Sequence, residues 1–281
     1  MIRALAILVP LLLPCVAAAQ QAGDAFQIVR TTDSQEQRSN GSSSTHDSDA
    51  LVERVIAVSD AGTELEYDLP GNASPDDRAR DWKFPVRVFK PRAGPLQLRN
   101  RAELETRIDK WLKAAELPRS ACGHWYFTWN AFRIECDPEQ ALQVVEAFAI
   151  GWDKPSEGAL YADKEAQRSA PLKRKQNGRG FTAELAVNPE AIRKARVDNE
   201  LMIAEINRQP LTREAARKAH AAEEISGTIR VDLDTDDAGQ LRRRTRVIKV
   251  TIRSGGETVT RTVTDVIERR PIRPARNPDS I

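Results

Sequence analysis

The sequence predicts an α+β fold: one antiparallel sheet, or a pair of them, built from strands at both chain ends and packed against several helices. Three observations carry this reading. Segments near both ends alternate apolar and polar residues at the strand period, while the middle carries apolar stripes at the helix period. Between two of those stripes, Cys122 and Cys136 frame a segment that suits one disulfide. The chain has 281 residues, of which 30% are charged and only 5% aromatic. Its core is therefore aliphatic and alanine-rich, under a surface of mixed charges.

The first residues read as a secretory signal. Arg3 is a positive n-region, Ala4 to Leu13 an apolar h-region, and Ala17-Ala18-Ala19 a small-residue cleavage site before Gln20. A competing reading lipidates Cys15, because Leu12-Leu13-Pro14-Cys15 loosely fits a lipoprotein signal. Pro14 fits that pattern poorly, so cleavage after Ala19 is preferred. No later stretch has the ~18 uninterrupted apolar residues of a membrane span. The mature chain is thus expected to be exported, periplasmic or secreted, without a transmembrane segment. Basic residues number 43 and acidic residues 41, a balance that points to neither nucleic acid nor strongly anionic membranes.

The expected domains are a signal over 1–19, a single α+β domain over 20–268, and a disordered tail rich in proline and arginine over 269–281. Two lobes meeting near 153–180 are the alternative to a single domain. Within the domain, Phe26 to Arg30 has strand character. Thr31 to Asp49 is serine-rich with Asn40-Gly41 at its middle, either a long hairpin or a flexible loop. Val52, Ile56 and Val58 share one strand face with Arg54, and Leu65, Tyr67 and Leu69 alternate with acids. Pro70 to Asp81 is loop by composition. Phe84, Val86 and Val88 line a strand that Pro85 marks as an edge or bulge.

Arg101 to Leu117 is expected as a helix, capped by Asn100, with Leu104, Ile108, Trp111, Leu112 and Ala115 as its stripe. Asp137-Pro138-Glu139 and Asn188-Pro189-Glu190 open two further helices, and Thr212 caps a fourth. The stretch from Asp153 to Arg179 is polar and ambiguous, with a basic turn over Lys173 to Arg179. The C-terminal part is a β-meander over Thr228 to Ile267. A curved sheet cupping helices in this way would resemble the lipoprotein-carrier fold by architecture alone.

The densest chemistry lies between the cysteines. Cys122 to Cys136 holds five of the chain's fifteen aromatics. A straight strand of that length would hold its ends tens of ångströms apart, against ~5.5 Å for disulfide-bonded Cα atoms. The segment must therefore turn back, with Asn130 as the natural turn residue, as a hairpin stapled at its open end. Trp125, Phe127 and Trp129 then tend to one face, and His124, Tyr126 and Phe132 to the other. The reading preferred from sequence packs these aromatics inward under the flanking helices. The alternative makes His124, Trp125, Tyr126 and Trp129 a ligand-binding surface.

Other motifs read as structure. Asp232 to Gly239 alternates acids as a calcium loop does, but glycine falls at the eighth position and Arg243 stands where the bidentate glutamate belongs. It reads as an acidic hairpin turn. His46-Asp47-Ser48-Asp49 reads as loop, and His220 as part of a solvated helix. Arg242, Arg244 and Arg246 alternate with Leu241 and Val247, so a solvent-facing row is expected. No nucleophile elbow, Ser-x-x-Lys or zinc-protease motif occurs. The sequence supports no catalytic residue, metal site or cofactor. The leading expectation is a non-enzymatic protein that binds or scaffolds an envelope component. The alternatives are a carrier of an apolar or lipid-like ligand between sheet and helices, and a hydrolase with dispersed residues around His124 or His220.

Overall fold

The computed structural model describes residues 20–128, 131–150, 154–176 and 178–272. The expected signal over 1–19 with Cys15, the residues Trp129 and Asn130, and the residues from 273 onward lie outside them.

The chain opens with a long hairpin, β1 (Ala25–Arg38) and β2 (Gly41–Val58), paired from Ala25 with Arg54 to Arg38 with Gly41. The serine-rich stretch is thus its distal half, turning at Ser39-Asn40. Next come β3 (Gly62–Asp68), α1 (Pro75–Arg80), β4 (Val86–Pro91) and β5 (Gln97–Leu98). α2 (Arg101–Ala114), β6 (Trp125–Phe127), β7 (Ala131–Arg133) and α3 (Gln140–Phe148) form the middle. β8 (Leu160–Tyr161), β9 (Ala170–Pro171), β10 (Lys173–Arg174) and β11 (Phe181–Ala186) fill the stretch that is ambiguous in sequence. α4 (Pro189–Ile206) and α5 (Arg213–His220) lead to β12 (Glu224–Thr235), β13 (Leu241–Ser254) and β14 (Glu257–Pro271).

Ten strands form one antiparallel sheet in the order β10-β11-β12-β13-β14-β1-β2-β3-β4-β5. β14 lies directly against β1, from Phe26 opposite Pro271 to Gln37 opposite Thr260, so the two chain ends share one sheet. One face of it carries the core. Leu104, Ile108 and Leu112 of α2 and Ala141, Val145 and Phe148 of α3 join the same buried cluster as Val86, Ile229, Val231 and Ile267 of the sheet. Each fully buried aliphatic side chain in that layer stabilises the fold by about 1.5–3 kcal/mol.

Local chemistry explains most boundaries. Asn188 Oδ1 accepts from the Glu190 N–H at 3.0 Å, and Thr212 Oγ1 from the Ala215 N–H at 3.2 Å, so α4 and α5 start where cap residues stand. Gly180 precedes β11 with φ +116, and a Cβ there would sit 2.0 Å from the Leu233 carbonyl oxygen. Only glycine lets the two strands meet at that point.

Four expectations need correction. Asn100 does not cap α2: its side chain accepts from the Arg87 N–H at 3.0 Å and donates to the Pro85 carbonyl, tying the helix start to β4. A short helix, α1, stands inside the expected loop 70–81, because Ser74 and Asp77 form a reciprocal capping box. On β2 the core face is Leu51, Glu53 and Val55, while Ile56 and Val58 are exposed. The pairing of β2 with β1 and β3 sets this phase from Leu51 onward, Val52 stays buried at 7%, and a bulge between Val55 and Ala57 interrupts the alternation only beyond it. Finally, β14 runs to Pro271, so Arg269 and Arg270 belong to the sheet and not to the tail.

Candidate functional site

The cysteine-framed segment is a stapled hairpin. Pro118 ends the preceding turn, and a single 3-10 turn over Arg119–Ala121 delivers Cys122. Cys122 and Cys136 are disulfide-bonded, with Cα atoms 5.6 Å apart. Gly123 adopts φ +85, a conformation that suits glycine. From there the Gly123 N–H donates to the Ile134 carbonyl at 2.7 Å and the Ile134 N–H to the His124 carbonyl at 3.0 Å. Trp125 pairs with Arg133, Tyr126 with Phe132 and Phe127 with Ala131.

The root of the hairpin is buried, with Ala121 at 4% and Ile134 at 1% exposure. Its blade is not. Phe127 is 62% exposed, Phe132 41% and Tyr126 39%. The inward packing preferred from sequence is therefore overturned for these three rings. The reason is reach: Ala121, Ile134 and the disulfide fill the space against the core, and the three-residue strands project beyond it. Tyr126 and Phe132 stack across the hairpin with ring centroids 6.3 Å apart. Trp125 is half-buried, and Trp129 lies outside the described residues.

One carboxylate holds the hairpin against α4. Glu205 Oε1 lies 2.9 Å from His124 Nδ1 and accepts from the Trp125 N–H at 3.2 Å. The His124 hydrogen bond, aided by the Trp125 N–H, lowers the Glu205 pKa from its ordinary value. His124 is thereby a positioning residue, itself exposed. Ile203, 46% exposed on α4, adds apolar surface on the element that carries Glu205.

The inner face of the sheet carries the opposite chemistry. Arg244 and Arg246 lie in phase with the buried Ile248, Val250 and Ile252, so the expected solvent-facing row turns inward. A register shift at the β12–β13 turn separates Leu241 from the alternation of the rest of β13, which the sequence does not reveal. Arg246 clamps Asp163 at 2.7 and 3.0 Å and Glu165 at 2.6 Å. Burial alone would raise the Asp163 pKa, but hydrogen bonds and charge from Arg246, with the Glu165 N–H, outweigh it and lower it. Arg30, Thr32 and Arg244 converge on Asp265, at 2.7, 3.2 and 3.4 Å.

A third buried group lies at the end of the sheet. Glu53 on β2 is 1% exposed and accepts from Arg269 Nε and Nη2 at 3.2 and 2.5 Å, while its other oxygen accepts from Tyr67 Oη at 2.7 Å. The Arg269 guanidinium lies 3.3 Å from the Phe26 ring centroid. Burial, reinforced by the Glu53 charge, pushes the Tyr67 pKa well above its ordinary value, so the phenol stays protonated. Beside this group is a partly enclosed cavity of about 300 Å³, walled by Ile28, Phe148, Ile150 and Leu241 and bearing Glu53, Arg269, Lys90 and Lys154. None of Cys122, His124, Trp125 or Tyr126 lines it.

The remaining motifs fall into place as structure. Asp236 accepts from the Ala238 and Gln240 N–H groups and from Arg242 Nε, which makes the acidic repeat a self-capped hairpin turn. His46 pairs across β1–β2 with Asp33 at 2.7 Å, on an exposed strand where a loop is expected. His220 is partly buried, 2.8 Å from Glu223 and 3.0 Å from Glu200, so it fastens α5 to its neighbours and is not a solvated position. Among the described residues no group of three or more His, Cys, Asp or Glu side chains is placed to hold a metal ion. No protein-family model matches the chain, and no curated sequence matches it significantly.

The sequence pointed to the hairpin and its aromatics. It missed Glu205, Arg269 and Glu53. Glu53 had a signal, since a lone acid stands between Leu51 and Val55 at the strand period.

Proposed function

We propose that the protein is an exported, non-enzymatic binding protein that docks an apolar patch of an envelope component through its stapled aromatic hairpin. One observation carries the reading: the stacked Tyr126 and Phe132, and Phe127 at the next position of the same blade, are all exposed on a hairpin that a disulfide and Glu205 hold rigid. Rigid, amphipathic aromatic rings supply contact area at low entropic cost, which is what a recognition surface needs. The interior arginines and carboxylates favour binding over hydrolysis, since they are engaged with one another. His124 and His220 also stand apart from the cavity. A carrier of a whole lipid is disfavoured by size. The cavity of about 300 Å³ lies at the low end of ligand pockets, which suits a small ligand there better than a two-chain lipid.

Photo-crosslinking in the exporting cell tests this. A photoreactive phenylalanine analogue at Phe127 is expected to give a discrete adduct that is lost when Phe132→Ser is added. The same analogue at Ser226, exposed on β12, is expected to give none. Equal labelling at the two positions, or no labelling at either, contradicts the reading.

A further inference from the structure

We propose that the distal edge of β2 pairs antiparallel with the same edge of a second copy of this chain, forming a two-fold dimer. The surface is separate from the aromatic hairpin and independent of its reading. β2 has β1 on one side along its length, but β3 covers its other side only from Val52 onward. Val55 fixes which backbone groups point where. Its N–H donates to the Asp24 carbonyl and its carbonyl accepts from the Gly23 N–H, both at 2.9 Å, so Val55 bonds toward β1. Antiparallel alternation then turns the odd residues of β2 to β1 and the even ones away. Val52 and Arg54 meet β3 on that side, whereas Ser42, Ser44, His46, Ser48 and Ala50 meet no described strand. Residues 41–49 are exposed throughout.

Sheet edges are ordinarily guarded by shortness, by lysine or proline, or by a bulge. The outermost strands, β10 and β5, have two residues each. Between Gly41 and Ala50 there is no lysine, arginine or proline, and the bulge of β2 lies beyond Val55. Both faces of this stretch are polar, so charge, and not a core, selects the register. Hydrogen-bonded pairs must join even residues to even residues, which places the two-fold axis on a residue. An axis at Asp47, Ser48 or Asp49 sets two carboxylates opposite each other, and one at His46 sets two imidazoles opposite each other. Of the positions that remain, Thr45 gives the longest ladder, and its paired residues end short of Val52, where β3 begins. Ser42 then faces Ser48 and Ser44 faces His46, each twice by symmetry, for about eight backbone hydrogen bonds. Asp47 faces the Ser43 hydroxyl of the other copy, and the two Thr45 side chains meet on the axis.

Sedimentation of the full chain is expected to show a dimer with Kd of about 10–100 µM, as suits a small polar interface. Ser43→Asp sets a second carboxylate opposite Asp47 of the other copy, twice per dimer, and is expected to weaken association about tenfold. Adding Asp47→Ser to that variant is expected to restore it. Thr45→Cys is expected to give a covalent dimer on mild oxidation, because facing residues of a non-hydrogen-bonded pair hold their Cα atoms about 4.5 Å apart. Asp49→Cys is expected to give none, since in this register the two copies of position 49 lie about 27 Å apart along the strands. The proposal is overturned if the mass stays at one copy up to about 1 mM, if Ser43→Asp leaves association unchanged, or if Asp49→Cys crosslinks as readily as Thr45→Cys.

Discussion

The stapled hairpin and the inner face of the sheet invert each other. The hairpin places Phe127 and Phe132 in solvent, while the sheet encloses Glu53, Arg246, Asp163 and Asp265. Apolar side chains bury only if the backbone that carries them has an inward slot, and at β6–β7 those slots are taken by Ala121, Ile134 and the disulfide. Charges enter the sheet interior only where partners meet them. Arg246 has two carboxylates, Glu53 has Arg269 and Tyr67, and Asp265 has Arg30, Arg244 and Thr32. The two regions should therefore respond to mutation in opposite ways, the sheet in stability and the hairpin in binding.

The largest effect belongs to the sheet. Glu53→Leu leaves Arg269 buried without its carboxylate, and removing one partner of a buried pair costs about 3–5 kcal/mol. The urea midpoint should fall accordingly, whereas an unchanged midpoint would mean that solvent reaches Arg269 freely. Next comes the staple. Cys122→Ser with Cys136→Ser opens a loop of fourteen residues' separation, for which chain entropy assigns about 3 kcal/mol. Amide exchange at Gly123 and Ile134 is the local readout, and it should accelerate.

A pH effect sharpens the contrast further. The Asp163 pKa is lower in the folded chain than its ordinary value, so the carboxylate contributes stability above roughly pH 4. That contribution is lost as pH falls through the lower folded value. Urea unfolding between about pH 5 and about pH 3 should show a loss of stability that Asp163→Asn reduces.

Much of the architecture was legible because it rests on local periodicity and local chemistry. Ile229, Val231 and Leu233 alternate, and Leu104, Ile108 and Leu112 repeat at the helix period, so both elements could be placed from the chain alone. The disulfide followed from a lone pair of cysteines in a chain expected to be exported, and the hairpin between them from reach. What was not legible depends on single-residue irregularities or on distant partners. The pairing of β2 with its distant partner strands set the core face at Leu51, Glu53 and Val55, and one register shift near Leu241 turned Arg244 and Arg246 inward. Arg269 meets Glu53 across 216 positions of sequence, and Glu205 meets His124 across 81. The outward aim of the aromatics was hidden for a similar reason, since it depends on how far a short hairpin stands from a core built by other elements.

The smallest expected effect tests the central claim most directly. Phe127→Ser combined with Phe132→Ser removes two rings that stand in solvent, and exposed substitutions usually change stability by no more than about 0.5 kcal/mol. For a chain of this size the melting temperature should then stay within about 2 °C of the parent protein. A fall of more than about 5 °C would show that the rings are core, and the hairpin would lose its standing as a recognition surface.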